Sequence, residues 1–279
     1  MSPLSLISTG PASGCSETPE KQGKVTLVGG GVGDPGLLTL NALRALQSAD
    51  IILFDKLVSD EVLELARQEA KCISVGKRGG QPSCRQDDIN ALMVKFAHKG
   101  LHVVRLKSGD PMIFGRAGEE IKILEDAGID IEIVPGITAA SAVASRTRVS
   151  LTHRDCAQSV KFITAHSRKG ELPELDWKSC ADNQTTLMVY MGARTAPQLA
   201  KALMTQGADP SLPVMIAKGI SRADEDISYH ILSELTQLSI AREQPVLLGI
   251  GRVFAERLEA FQNLEIQNAK LGDLRVLTG

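Results

Sequence analysis

The 279-residue sequence predicts an α/β protein of two α/β domains, and three observations carry that expectation. Short apolar, β-branched runs alternate with longer stretches at helical spacing, the rhythm of βαβ units. Glycine-rich turns close several of those runs, at the sheet edge where open α/β proteins bind small molecules. The chain is also long enough for two ordinary cores.

Residues 1–23 are rich in Ser, Pro and Gly, with neither a basic start nor a continuous apolar stretch, so they read as a flexible tail and not a signal peptide. From Lys24 the first strand is Val25-Thr26-Leu27-Val28, followed by helical spacing through Leu37, Leu40, Leu43, Ala45 and Leu46. Residues 51–54 form a wholly apolar strand ending at Asp55, and 72–75 another ending at Gly76-Lys77-Arg78. Ser83 to Gln86 has capping-box spacing before an amphipathic helix through Ile89, Leu92, Met93 and Phe96, closed near Gly100. A strand over 101–106, a helix over 118–127 stopped by Gly128, and an alternating strand over 129–134 complete the first half. The boundary falls at about 136–140, giving domains at 24–137 and 138–263 and a weakly patterned tail at 264–279. Beyond it, 139–145 reads as a small-residue helix packed tightly on its neighbours. Strands follow at 160–164, 186–191, 214–217, 227–231 and 245–250, with helices over 196–206, 233–241 and 253–262.

The net charge of −2 offers no basic excess for a phosphate backbone, which argues against nucleic acid as a partner. Cys15, Cys72, Cys84, Cys156 and Cys180 are odd in number and lack a CxxC, which points to neither a disulfide framework nor a zinc site and favours the reducing cytoplasm. No segment is apolar for long enough to cross a membrane.

The run from Leu106 to Arg116 sets Ser108-Gly109-Asp110-Pro111 after a buried strand, and Gly29-Gly30-Gly31-Val32-Gly33-Asp34-Pro35-Gly36 repeats that chemistry after the first strand. Two such turns point to one cleft. Gly31 to Gly36 also satisfies GxGxxG, with Asp55 near the place of a ribose-binding acid, so a nicotinamide-dependent oxidoreductase is the rival reading. Pro35 weakens it by removing a backbone donor where a pyrophosphate needs one, and the second Gly-Asp-Pro has no role in that scheme.

Together with Asp55-Lys56-Leu57-Val58-Ser59, Val75-Gly76-Lys77-Arg78, Ser150-Leu151-Thr152-His153-Arg154 and Val189-Tyr190-Met191-Gly192, these turns resemble the tetrapyrrole methylase family, in its uroporphyrinogen III C-methyltransferase branch. The resemblance spans almost the whole chain after residue 24. It implies S-adenosylmethionine in a cleft between two α/β domains, no metal, a homodimer, and two methyl transfers to C2 and C7 of uroporphyrinogen III, giving precorrin-2 and S-adenosylhomocysteine. Another precorrin methylase, or a carrier that keeps the fold without the reaction, are the remaining alternatives.

Positions matching the family pattern for the cofactor are Val32, Ser108, Gly109, Asp110, Ile113, Thr138, Ala139, Met191, Ala217 and Gly219. Each alone reads first as a turn former or core residue, and it is their joint occurrence that reverses this. Val32 stands where relatives carry proline and Ser108 where they carry glycine, changes that matter little if the contacts are made by the main chain. An acceptor with eight carboxylates calls for Lys56, Arg78, Arg116, His153, Arg154 and His166, with Glu119 and Met191 beside them. Glu119 and Glu120 also lie at ordinary ion-pair spacing from Arg116. For catalysis the candidates are Asp55 as a base raised by burial, Lys77 as a donor or steering group, and Arg116, whose guanidinium suits orientation better than proton transfer.

Overall fold

The structure, a computed structural model, describes residues 23–76, 85–167, 170–241 and 243–277. The tail before Gly23, together with Lys77, Arg78, Ser83 and Cys84, lies outside the described residues.

Strands β1 (Lys24–Gly29), β2 (Ile51–Phe54), β3 (Lys71–Ser74), β4 (His102–Lys107) and β5 (Asp130–Val134) form an all-parallel sheet in the order β3-β2-β4-β1-β5. A parallel sheet of this kind needs apolar cover on both faces. The strands supply it by alternation: Val25, Leu27, Leu53 and Val103 pack with Ile89, Met93 and Leu124, while Val28, Ile52, Val104 and Leu106 pack with Ala42, Leu46 and Val62. The covering helices are α1 (Leu40–Ser48) and α2 (Asp60–Leu63) on one face and α3 (Gln86–Ala97) and α4 (Ala117–Asp126) on the other.

The second half opens with α5 (Ala139–Thr147), whose small residues Ala140, Ala142 and Val143 are fully or nearly fully buried. It continues through β6 (Ser159–Thr164), α6 (Trp177–Cys180), β7 (Thr185–Tyr190), α7 (Ala196–Thr205), β8 (Pro213–Lys218), β9 (Asp226–Ile231), β10 (Val246–Ile250) and α8 (Ala255–Leu277). Its sheet runs β6-β7-β10-β8-β9, with only β6 and β7 parallel. One face packs on α7; the other sends Met188, Met215, Ala217 and Leu247 into a cluster with Val32, Ala140, Val143 and Phe254. That cluster contains residues of both halves, so one apolar seam joins them.

Three local expectations change. Residues 233–241 contain only a 3₁₀ turn, Glu234–Thr236, because Leu235 and Ile240 are drawn into the α7 core and the Ser233 amide donates to the Pro210 carbonyl at 2.9 Å. The start of α3 is stapled by the Asp88 carboxylate accepting from the Arg85 amide at 2.9 Å, and Gln86 turns inward, away from any capping role. Helix α8 runs on past Gln262 to Leu277, through a stretch without proline in which Leu, Glu, Gln, Ala, Lys and Arg outnumber the weaker formers such as Asn268 and Gly272.

Candidate active site

The glycine turns close on each other. Gly31 and Gly109 form a two-way antiparallel bridge, the Gly109 amide donating to the Gly31 carbonyl at 2.6 Å and the Gly31 amide to Gly109 at 3.3 Å. Ser108 adds its hydroxyl to the Gly31 carbonyl at 3.4 Å. Asp110 accepts from the Met112 amide at 2.8 Å and from the Gly136 amide at 3.0 Å, so both its oxygens are held by backbone and the ends of β4 and β5 are tied together. A Cβ on Gly136 would run into the Gly109 carbonyl, which is how closely these turns pack. Gly109 itself, at φ +70°, has nothing within 4 Å of its Cβ position, so the chain there faces open space.

The second half supplies the opposite wall. Thr138 Oγ1 and the Tyr190 hydroxyl share a 2.6 Å hydrogen bond, and the Ala140 amide donates to the same hydroxyl at 3.2 Å. Burial pushes the Tyr190 hydroxyl up, which keeps its proton in place. Across the seam Phe114 packs on the Tyr190 ring at 5.0 Å. Met191 follows at φ 57° and remains exposed, while Ala217 lies in the shared apolar cluster and Gly219, at φ 54°, has Gln244 and Asp224 against it. Ile113 is held by its amide, which donates to the Asp110 carbonyl at 3.2 Å, and Val32 is buried in the shared cluster. Val32, Ser108, Gly109, Asp110, Ile113, Thr138, Ala139 and Met191 therefore adjoin through direct contacts or as chain neighbours.

The charged candidates are more scattered. Arg116, at φ 56°, makes a bidentate pair with Glu119 at 2.8 and 2.7 Å on an exposed rim. Glu119 raises its guanidinium above an already high value, so Arg116 is suited to holding carboxylates and unsuited to accepting a proton. Asp55 directly follows β2 and accepts from Arg105 Nη2 at 2.6 Å; that buried cation is its partner. Lys56 is exposed and borders a cavity of about 550 Å³ with Gly33, Ser59, Ser221 and Arg222. Two contacts tie this corner: Ser59 Oγ donates to the Gly33 carbonyl at 2.7 Å and Arg222 Nη2 to the Leu57 carbonyl at 2.5 Å, the latter joining the two halves. His153 and Arg154 sit in an exposed turn closed on itself by the paired backbones of His153 and Ala157. His166 is exposed beyond β6, its amide donating to Thr164 Oγ1 at 3.3 Å.

The nicotinamide alternative fits this geometry poorly. The first glycine turn leads into a three-residue 3₁₀ turn capped by Asp34, and α1 begins only after Thr39, so no α-helix N-terminus faces the turn where a pyrophosphate would sit. Sequence reasoning missed Tyr190 and Phe114 as site walls and the buried partners of Asp55. The available signal was Arg105 and Lys107 at strand period 2 within an otherwise apolar run.

Among the described residues, no group of three or more His, Cys, Asp or Glu side chains is arranged to hold a metal. No described helix is long and apolar enough to cross a membrane.

Residues 24–236 match the family described as Tetrapyrrole (Corrin/Porphyrin) Methylases. Among curated proteins the chain is 45% identical over 242 residues to "Siroheme synthase 2" of Cronobacter sakazakii, covering 87% of this chain and 52% of that protein. It is 42% identical over 250 residues to "Siroheme synthase" of Salmonella typhi, covering 89% and 54%. The chain thus spans about half the length of these relatives. Among solved structures, uroporphyrin-III C-methyl transferase from Thermus thermophilus complexed with S-adenosylhomocysteine superposes with a TM-score of 0.72 at 37% identity, over 83% of this chain and 99% of that one. A cobalt precorrin-4 methyltransferase superposes with a TM-score of 0.73 at 26% identity, over 82% and 95%.

Proposed function

We propose that this chain, which belongs to the tetrapyrrole methylase family, methylates uroporphyrinogen III at C2 and C7, using S-adenosylmethionine and yielding precorrin-2 and S-adenosylhomocysteine. The observation that carries the reading is the pair of interlocked glycine turns facing the Thr138–Tyr190 wall, in a chain 37% identical to a uroporphyrin-III C-methyl transferase. Sirohaem, cobalamin and haem d1 synthesis are the fates open to such a product. A homodimer in the cytoplasm completes the reading.

The cleft suits the cofactor. Gly109 faces open space; backbone groups of Ser108, Gly109, Thr138 and Ala139 are assigned to the cofactor, with Ile113 and the exposed thioether of Met191 beside them, Val32 and Ala217 in the apolar cluster behind, and Gly219 at the far strand end. When bound, the cofactor supplies an activated methyl group on a sulfonium. The protein's own tasks are alignment and exclusion of water. Phe114 and Tyr190 close the seam between the halves, and Asp110 keeps the turn rigid without facing the ligand with a free charge. Arg116, exposed on the rim, holds a peripheral carboxylate of the macrocycle by exchanging Glu119 for it, so Glu119 stores the fork in a usable geometry. Lys56, Arg78, His153, Arg154 and His166 are assigned to the other carboxylates. Proton acceptance falls to Asp55, which is paired with Arg105 and would accept only as that pair loosens, while Lys77 donates or steers.

Anaerobic incubation of the protein with uroporphyrinogen III and S-adenosylmethionine, followed by mass analysis, should give a product gaining two methyl groups. A single methyl, or none, would move the chain to another branch of the family.

A further inference from the structure

Beneath the turn that carries Arg116 lies a set of buried charges that the proposed reaction does not use. Arg105 and Lys107 follow Val103 on the face of β4 covered by α3 and α4, with side chains 3% and 5% exposed, and Glu120 of α4 is 0% exposed. Glu120 Oε1 accepts from Arg105 Nε at 3.1 Å, Lys107 Nζ at 3.0 Å and Gln86 Nε2 at 3.0 Å, and its Oε2 accepts from Lys107 at 3.0 Å. Arg105 reaches onward to Asp55 Oδ1 at 2.6 Å and to the carbonyls of Leu53 and Leu106 at 3.3 and 3.2 Å. Two buried cations and one buried carboxylate leave one positive charge, which Asp55 balances where β2 reaches the surface.

Replacing a buried ionic set by apolar residues of similar volume is often neutral or stabilising, so stability alone does not account for this one. Its position points to geometry. The Cβ position of Gly115 lies 3.2 Å from Lys107 Cε, and Gly115 is flanked by Phe114 at φ 53° and Arg116 at φ 56°. Left-handed residues of this size store strain that neighbouring structure must hold in place. Helix α4 begins directly after Arg116; in its first turn Glu119 faces out to clasp Arg116 and Glu120 faces in to the network.

We propose that Glu120, Arg105 and Lys107 are positioning residues that fix Arg116, through the first turn of α4, and Asp55, through Arg105, in one rigid frame. The inference rests on the reading that an acidic macrocycle is held at Arg116. Truncating the network then misplaces substrate relative to a cofactor site that is itself unaltered, because the 108–113 cradle is held by Gly31 and Gly136 instead.

The decisive variant is Lys107→Met/Glu120→Gln in the full chain, which removes one charge of each sign and leaves Arg105 paired with Asp55. It should melt within about 5 °C of the wild type, bind S-adenosylhomocysteine within about twofold by calorimetry, and lose about 100-fold in kcat, the scale set by misplacement of about an ångström. Amide hydrogen exchange across 113–119 should accelerate. Unchanged kcat and unchanged exchange in the folded variant would overturn the proposal, as would a loss of cofactor affinity in step with kcat. Should the double variant not fold, Lys107→Gln/Glu120→Gln, equally charge-balanced and able to keep a hydrogen bond, answers with the same readouts and a loss of about tenfold. A wild-type protein inactive on uroporphyrinogen III would sink the functional reading, while exchange across 113–119 would still judge the network.

Discussion

Gly33-Asp34-Pro35 and Gly109-Asp110-Pro111 share three residues and a place after a parallel strand, yet their aspartates do different work. Asp34 reaches two residues on, accepting from the Gly36 amide at 2.7 Å as the cap of a 3₁₀ turn on the surface. Asp110 also holds a local amide, that of Met112, but its second oxygen crosses to Gly136 at the end of another strand. The first turn is a local cap and the second a tertiary clasp. The same tripeptide thus carries its information in what stands opposite: Asp110 has Gly136 opposite it, whereas Asp34 faces solvent.

The largest effect should come from the glycine on which the clasp closes. A Cβ at position 136 would overlap the Gly109 carbonyl and lie 2.7 Å from Gly29 Cα, with no flexible side chain able to yield. Gly136→Ala should therefore destabilise by about 3 kcal/mol in urea unfolding. Its counterpart Gly36→Ala meets only the Asp34 carboxylate at 3.1 Å, which can swing aside, and should change stability by about 0.5 kcal/mol or less. Equal losses would mean that the two turns are packed alike.

A smaller but more specific effect is expected for the carboxylate. Asp110→Asn keeps one acceptor oxygen and replaces the other with an amide group that cannot accept from a backbone N–H. One of the two amides loses its partner, a cost of about 2 kcal/mol for a hydrogen bond to a charged group. Because the ends of β4 and β5 then separate at the cradle, affinity for S-adenosylhomocysteine, read by calorimetry, should fall about tenfold. Retention of full affinity alongside lost stability would show that the clasp serves the fold alone.

The sheet that carries these turns was largely legible in the sequence, because its central strands β1, β2 and β4 are mostly apolar runs bounded by turn residues, as parallel strands buried on both faces are, and the edge strand β5 shows itself by alternation. The second half was legible in its strands and less so in its helices: Ser233 to Ala241 has helical spacing, but the segment delivers Leu235, Leu238 and Ile240 to the core with a single 3₁₀ turn. Among site residues, glycines and Asp110 were readable because a turn constrains its own residue types. Arg105, Lys107 and Glu120 were not read together, since their pairing joins residues 13 and 15 positions apart on a strand and a helix, and no local pattern records which of two adjacent glutamates points inward. Glu119 and Glu120 offered the same spacing to Arg116; only packing under Gly115 separates them.

Of the two aspartates, Asp34 should show the smaller effect, and it bears most directly on the contrast between the turns. Asp34→Ala removes one hydrogen bond at 2.7 Å from an exposed three-residue turn. Neighbouring restraints remain: Ser59 still holds the Gly33 carbonyl at 2.7 Å, and Thr39 still caps α1 through the Ala42 amide at 3.1 Å. Loss of a solvent-facing cap of this kind costs about 0.5–1 kcal/mol, and Pro35 keeps the turn's first residue in a helical φ without help from the side chain. Thermal unfolding should therefore shift by only a few degrees, on the order of 1–4 °C, with kcat and cofactor affinity within about twofold of the wild type. A loss matching that of Asp110→Asn would mean that Asp34, too, works beyond its own turn, through the 550 Å³ cavity it borders with Lys56 and Arg222.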